Sequence, residues 1–364
     1  LLKNIMNQTT TVSHASKREF SLDLLRVLAC FLVIWQHVTE VYYIGPDFTV
    51  PTHDEMPLIG WMNSMTPIEV PLFVMISGYF LLPLKMDVGA FFKRRFTRIL
   101  IPFVVWCVAY SAYFMVYRGD TLAQFLRNVA HIPVNLGVEI GHMWFIYMLL
   151  GLYMLVPIIS PWLEQCSKRQ LQGYLGVWAF TTLLPYIHLW FPEVLGECFW
   201  NPTPMLHYFT GFAGYFVLGY YIKRYGALSV RNALLLLVGG YLFTVAVYQY
   251  RLERVTSISD LEICWRFCSA NMMLMTYAMF SLVSRIKWQG NNAFGRWISS
   301  YAMLSYAVYF VHIMLINFWR DLLSESLAHV YYQIPIITLC SFLSSYAVVW
   351  ILSKLPKAKV WLGS

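Results

Sequence analysis

Apolar residues in this chain gather into runs of about 20, and the runs recur from end to end with charged residues confined to the gaps. A helix needs roughly 20 mostly apolar residues to cross the hydrocarbon core of a bilayer. With that window, spans are expected near 22–44, 69–84, 99–117, 142–162, 171–191, 204–222, 232–250, 264–284, 297–319 and 331–352. Pro157, Pro161 and Pro185 fall inside the fourth and fifth spans and predict kinks where helices line a cavity. The expected fold class is all-α, a polytopic membrane helical bundle with about ten transmembrane helices. Residues 21–353 form the membrane domain, between an N-terminal tail (1–20) and a C-terminal tail (354–364).

Charge then orients the spans. With both termini on one side, that side holds 20 of the 26 Lys and Arg, and the opposite side holds 14 of the 18 acidic residues. Such a bias places both termini in the cytoplasm by the positive-inside rule. An odd number of spans would scramble it. The net charge of +8 therefore reflects topology and anionic lipid headgroups, not nucleic acid. At 59% hydrophobic and 12% charged, the composition excludes a soluble domain of this length. The seven cysteines form no C-x-x-C pair, so neither a metal site nor a disulfide scaffold is expected. A bridge between Cys198 and Cys264 stays open, since both belong to the outer side.

Three features carry candidate chemistry. Arg26 and His37 share the first apolar helix, eleven residues and thus roughly 16 Å apart on nearly one face. That puts His37 near the bilayer midplane, where an ionisable group is costly and marks a functional site by default; a packing histidine bound to a neighbour is the plainer reading. Glu40, one turn further, is placed to orient the imidazole. The second feature is the cluster Lys93, Arg94, Arg95 and Arg98 at the mouth of the third helix. Arg95 and Arg98 project to one face and offer forked donors to phosphate oxygens. Stop-transfer charge accounts for such a cluster equally well, but with Arg26 alongside it a polyanionic cytoplasmic ligand is the preferred reading. The third comprises His142 opening the fourth span, with Trp144 beside it, and the stripe Tyr306, Tyr309, His312 in the ninth. By helical rise His37 and His312 converge on a single polar cavity in the outer half. The small pair Ser77-Gly78 permits close helix approach, and Tyr79 beside it offers a hydroxyl.

As a whole the chain resembles membrane-bound acyltransferase family 3. The resemblance rests on Arg26-x10-His37, the run Val-Pro-Leu-Phe-x-Met-Ile-Ser-Gly-Tyr at 70–79, Arg95-Phe-x-Arg98-Ile, His142-Met-Trp144-Phe and Tyr309-Phe-Val-His312. It covers essentially all ten spans. It is similar in particular to the bacterial O-acetyltransferases of surface polysaccharides, the type that modifies enterobacterial common antigen. Glu40 is a departure, not a feature of the family pattern.

The resemblance implies an acetyl-CoA-dependent O-acetyltransferase in the bacterial cytoplasmic membrane, using cytoplasmic acetyl-CoA and no metal. The acceptor is a polysaccharide or lipid-linked glycan, and membrane lipids are the other partners expected. Arg26, Lys93, Arg94, Arg95 and Arg98 are expected to hold CoA phosphates. His37 acts as general base, Tyr79, Trp144, Tyr309 and His312 are candidate donors to the oxyanion, and His142 is a further catalytic candidate. A secondary transporter or flippase for a glycan-related substrate is the alternative, in which the same buried groups line a substrate path.

Overall fold

The computed structural model describes residues 19–134, 140–194, 196–198, 201–288 and 290–363. Most of the expected N-terminal tail lies outside the described residues. In chain order the helices are α1 (Phe20–Tyr43), α2 (Met56–Asn63), α3 (Glu69–Leu81), α4 (Val88–Tyr117), α5 (Leu122–His131), α6 (Trp144–Gln165), α7 (Lys168–Thr181) and α8 (Leu184–Trp190). A small antiparallel hairpin, β1 (Gly196–Cys198) with β2 (Asn201–Pro204), interrupts them. Then follow α9 (Phe212–Tyr225), α10 (Val230–Leu252), α11 (Ile258–Leu261), α12 (Ala270–Ser284), α13 (Ala293–Leu323), α14 (Val330–Leu352) and α15 (Ala358–Leu362). The protein is a polytopic helical bundle.

Eight stretches among the described residues are long and apolar enough to cross a membrane: α1, Met56–Leu81, α4, Gly141–Gln165, α10, Ile258–Ser284, α13 and α14. The other two expected spans fall on shorter helices. The stretch 171–191 divides at Thr182 and Leu183 into α7 and α8, with Pro185 in the first turn of α8, where a missing N–H is harmless. The stretch 204–222 makes only a 3-10 turn at His207–Phe209 before the α-helix starts at Phe212, with Leu206 and Gly211 taking positive φ angles of 58° and 77°. By contrast α6 continues as helix through both Pro157 and Pro161. Cys264 is a buried free thiol, so the bridge to Cys198 left open by the sequence is not formed.

Polar side chains set several helix starts. The Asp87 carboxylate accepts from the Ala90 amide and fixes the first turn of α4, from which the arginine cluster projects. Ser167 and Gln170 form a reciprocal capping box on α7, and Asn292 caps α13. Helix α1 is central, packed against α3, α12, α13 and α14. Helix α10 lies outermost, with Leu234, Leu235, Val238, Leu242 and Phe243 exposed as a lipid-facing apolar surface.

Helices α3 and α9 cross at a reciprocal pair of glycines. A Cβ on Gly78 would lie 1.8 Å from the Phe216 carbonyl oxygen, and one on Gly219 would lie 2.0 Å from that of Met75. Both obstacles are backbone, so neither can give way without moving a helix. This contact holds α3, and the residues it presents inward, at fixed distance from α9. Gly78→Ala and Gly219→Ala should each cost about 1–3 kcal/mol or more and lower the unfolding midpoint of the detergent-solubilised protein. Gly151→Ala on α6, where nothing lies within 4 Å of the new Cβ, should leave it unchanged. An unaltered midpoint for Gly78→Ala would refute the close-crossing account.

Candidate active site

The site is built on α1. Near its start the Arg26 guanidinium donates to Asp23 Oδ1 at 3.0 Å and lies over the Phe80 ring at 5.0 Å. Three turns on, His37 Nδ1 meets Glu40 Oε2 at 2.7 Å. An ionised carboxylate can only accept, which assigns the proton to Nδ1 and leaves the Nε2 lone pair of His37 as a base. The last residue of α1, Tyr43, donates its hydroxyl to Glu262 Oε1 at 2.7 Å. It accepts in turn from Gln36 Nε2 at 3.2 Å, whose Oε1 accepts from the Thr66 hydroxyl at 2.5 Å.

The two other histidines named by the sequence meet His37 in space. Ring centroids lie 5.3 Å apart for His37 and His312, 5.2 Å for His142 and His312, and 6.3 Å for His37 and His142. His312 is fully buried behind the other two. Its Nδ1 donates to the Tyr309 carbonyl at 2.6 Å, and its Nε2 has no partner among the described residues. His142 Nε2 is likewise buried without a partner. Tyr309 donates its hydroxyl to the His142 carbonyl at 2.5 Å, which ties α13 to the start of α6. No group of three or more His, Cys, Asp or Glu suited to a metal ion occurs among the described residues.

These residues surround one cavity of about 1510 Å³. At the end where α1 and α4 begin and α14 finishes, it is lined by Arg26, Arg94, Arg95, Arg98, Lys354 and Lys359. His37, Glu40, His142, Trp144 and Tyr309 line its middle. The far end presents Glu69, Glu262, Arg266 and the indole of Trp265. Trp265 is held rigidly, stacked on Tyr248 at 4.6 Å, with its Nε1–H donated to Ser64. Trp144 stacks on Phe267 at 5.6 Å. A smaller cavity of about 350 Å³ shares His37, Glu40, His142 and Trp144 and reaches Tyr110 and Arg118.

Ten of the twelve residues singled out in the sequence thus meet at the cavity or, as His312, directly behind it. Two do not. Tyr79 turns away and donates its hydroxyl to Glu19 Oε2 at 2.9 Å, and Lys93 is exposed outside the lining. The donors expected at Tyr309 and His312 are also engaged. The Tyr309 proton is committed to a carbonyl, and His312, with its proton on Nδ1, presents only an acceptor at Nε2.

Sequence reasoning passed over Glu69, Gln36, Glu262, Trp265, Lys354 and Lys359. Glu69 was detectable: it is a lone carboxylate entering an apolar run two residues before Pro71. It is 2% exposed, and its Oε2 lacks a partner among the described residues. Glu262 and Trp265 sit on a short turn between α11 and α12, and only tertiary packing brings them to α1.

No curated protein and no solved structure matches this chain. The acyltransferase domain family Acyl_transf_3 matches residues 19–354, a stretch that takes in all eight membrane-crossing segments and nearly the whole cavity lining. The chain therefore belongs to that family and is a multi-pass membrane acyltransferase.

Proposed function

We propose that the protein moves an acetyl group from cytoplasmic acetyl-CoA to a hydroxyl of a surface polysaccharide or its lipid-linked precursor, in a bacterial cytoplasmic membrane with both termini inside. The observation that carries this reading is the single cavity running from a cluster of arginines, past a histidine–carboxylate pair, to an end furnished with carboxylates and tryptophan. Arginines suit the phosphates of CoA because guanidinium forks match phosphate oxygens. Carboxylates that accept from hydroxyls, beside rigid aromatic faces, suit a sugar. Neither substrate need cross the bilayer to meet the other at His37.

The reaction follows from the hydrogen-bond assignments. Arg26, Arg94, Arg95 and Arg98 hold the phosphates, and the pantetheine arm lies along α1 with the thioester at His37. The acceptor oxygen attacks the thioester carbonyl carbon while His37 Nε2 takes the hydroxyl proton. Glu40 holds the imidazole by Nδ1 and stabilises the imidazolium that forms. The tetrahedral oxyanion then collapses, the C–S bond breaks, and the imidazolium returns the proton to the CoA sulfur. With its proton on Nε2, His142 is the donor to the oxyanion, since its ring nitrogen is buried and uncommitted.

His37→Ala should lower transfer about 10²- to 10⁴-fold, with CoA affinity measured by calorimetry retained. Glu40→Gln should cause a smaller loss. Near-normal turnover in His37→Ala would remove the base from this scheme.

Arg95→Ala should raise the Michaelis constant for acetyl-CoA more than it lowers maximal turnover, because it removes binding common to ground and transition states. An unchanged donor constant would return the arginine to a purely topological role.

Sidedness gives a third test. Arg94 and Arg266 are both exposed and line opposite ends of the cavity. An impermeant thiol reagent should reach Arg266→Cys only from outside sealed vesicles and Arg94→Cys only from inside. Labelling of both from one face would defeat the trans-bilayer mechanism.

A further inference from the structure

The segment after α14, expected from the sequence as a C-terminal tail, folds back onto the bundle. The chain turns at Lys357 with φ of 58°, forms α15, and buries Ala358, Leu362 and Gly363. Two donors from α4 pin its backbone: Arg98 Nε to the Gly363 carbonyl at 2.9 Å and Trp106 Nε1 to the Trp361 carbonyl at 3.1 Å. Gly363 itself sits against α13. Its φ is 69°, and a Cβ there would come within 2.7 Å of the Tyr306 ring and 3.0 Å of the Arg98 carbonyl. The result is a hook folded back across the basic mouth of the cavity.

The hook adds cations where cations already cluster. Lys354 and Lys359 line the mouth with Arg26, Arg94, Arg95 and Arg98, and among the described residues the carboxylates there are Glu19 and Asp23. Both carboxylates are occupied, Glu19 by the Tyr79 hydroxyl and Asp23 by Arg26 and the Ser299 hydroxyl. Packing six positive charges around one opening is unfavourable unless an anion is meant to enter. A topological lysine, moreover, needs no docked backbone. Here the backbone that carries the lysines is fastened by an arginine of the cluster itself. That contact occupies Arg98 Nε and leaves its two terminal nitrogens for another partner.

We propose that this hook is a wall of the donor site, and that Lys354 and Lys359 bind the phosphate groups of a nucleotide donor. The inference rests on the CoA reading above. The same chemistry would hold the phosphate of an anionic lipid headgroup, so the test separates the two sources.

The protein is reconstituted in nanodiscs of phosphatidylcholine alone and titrated calorimetrically with CoA and with dephospho-CoA. In the double variant Lys354→Ala, Lys359→Ala the dissociation constant for CoA should rise about tenfold, the loss of one or two exposed charge-assisted contacts. Lys357→Ala, which removes a neighbouring exposed charge outside the lining, should leave it unchanged. Because all three lysines are exposed, the bundle itself should survive these changes. A smaller rise for dephospho-CoA would place one lysine at the 3′-phosphate; an equal rise would place both at the diphosphate. If the wild type binds CoA and the double variant binds it equally well, the hook is no part of the donor site and the CoA reading stands. If the variant differs only in discs containing phosphatidylglycerol, the lysines serve lipid. If the wild type fails to bind CoA in either disc, the functional reading falls, and the hook's role with it.

Discussion

An ionisable side chain on a membrane-crossing helix must find either a partner or water at its own level, because unsatisfied charge in hydrocarbon is costly. Helix α1 carries four such groups and meets the requirement twice within itself. Asp23 serves Arg26 one turn away, and Glu40 serves His37 one turn away. Between the pairs the helix is apolar apart from Gln36, with Val27, Ala29, Leu32 and Ile34 buried. The neighbouring helices are arranged around these two stations. Helix α3 is held against α9 by the Gly78 and Gly219 crossing, α4 brings its arginines to the first station, and α13 brings His312 to the second.

The two stations also give the cavity two electrostatic characters. They lie roughly 16 Å apart along the helix, beyond the Debye length of about 8 Å at physiological ionic strength. In a water-filled cavity each end therefore acts nearly alone. The basic end attracts a polyanion, while the far end, lined by Glu69, Glu262 and the single cation Arg266, has no cluster of cations to hold one. On the proposed CoA reading, the donor's phosphates stay at the basic end and its thin arm reaches on toward His37.

How much of this was legible depends on whether a relation lies within one helix or between several. The spacing of Arg26 and His37, and of Arg95 and Arg98, is fixed by helical geometry and could be read directly. The meeting of His37 with His312 was inferred from depth, because apolar spans set a common vertical scale. Glu69 escaped because its place at the start of a span reads as an interfacial charge; in the fold α2 precedes it and carries the apolar stretch back to Met56. Tyr79 was misleading for a related reason: it is adjacent in sequence to Ser77 and Gly78, which face α9 and the cavity, yet its own direction is set by Glu19. The hook had no local signature. Its residues look like an ordinary basic tail, and only the α4 donors that hold it reveal otherwise.

The histidine cluster contains a further energetic argument. The Tyr309 hydroxyl holds the His142 carbonyl, and the Tyr309 carbonyl holds the ring of His312, so one residue of α13 fixes two histidines. Among the described residues Nε2 of His312, which lies off the cavity, and Nε2 of His142, which lines it, both stay without a partner, and a buried polar atom so placed costs about 1–3 kcal/mol in the resting protein. In the acyl-transfer reading the cost at His142 has a use. A thioester carbonyl is a weak acceptor in the ground state and a strong one once it becomes an oxyanion. A donor left unpaired until then gives its full hydrogen-bond energy at the transition state and little before it, which is the condition for raising turnover and not merely binding. The same histidine, had it been given a protein partner, would have stabilised the fold and contributed less to the reaction.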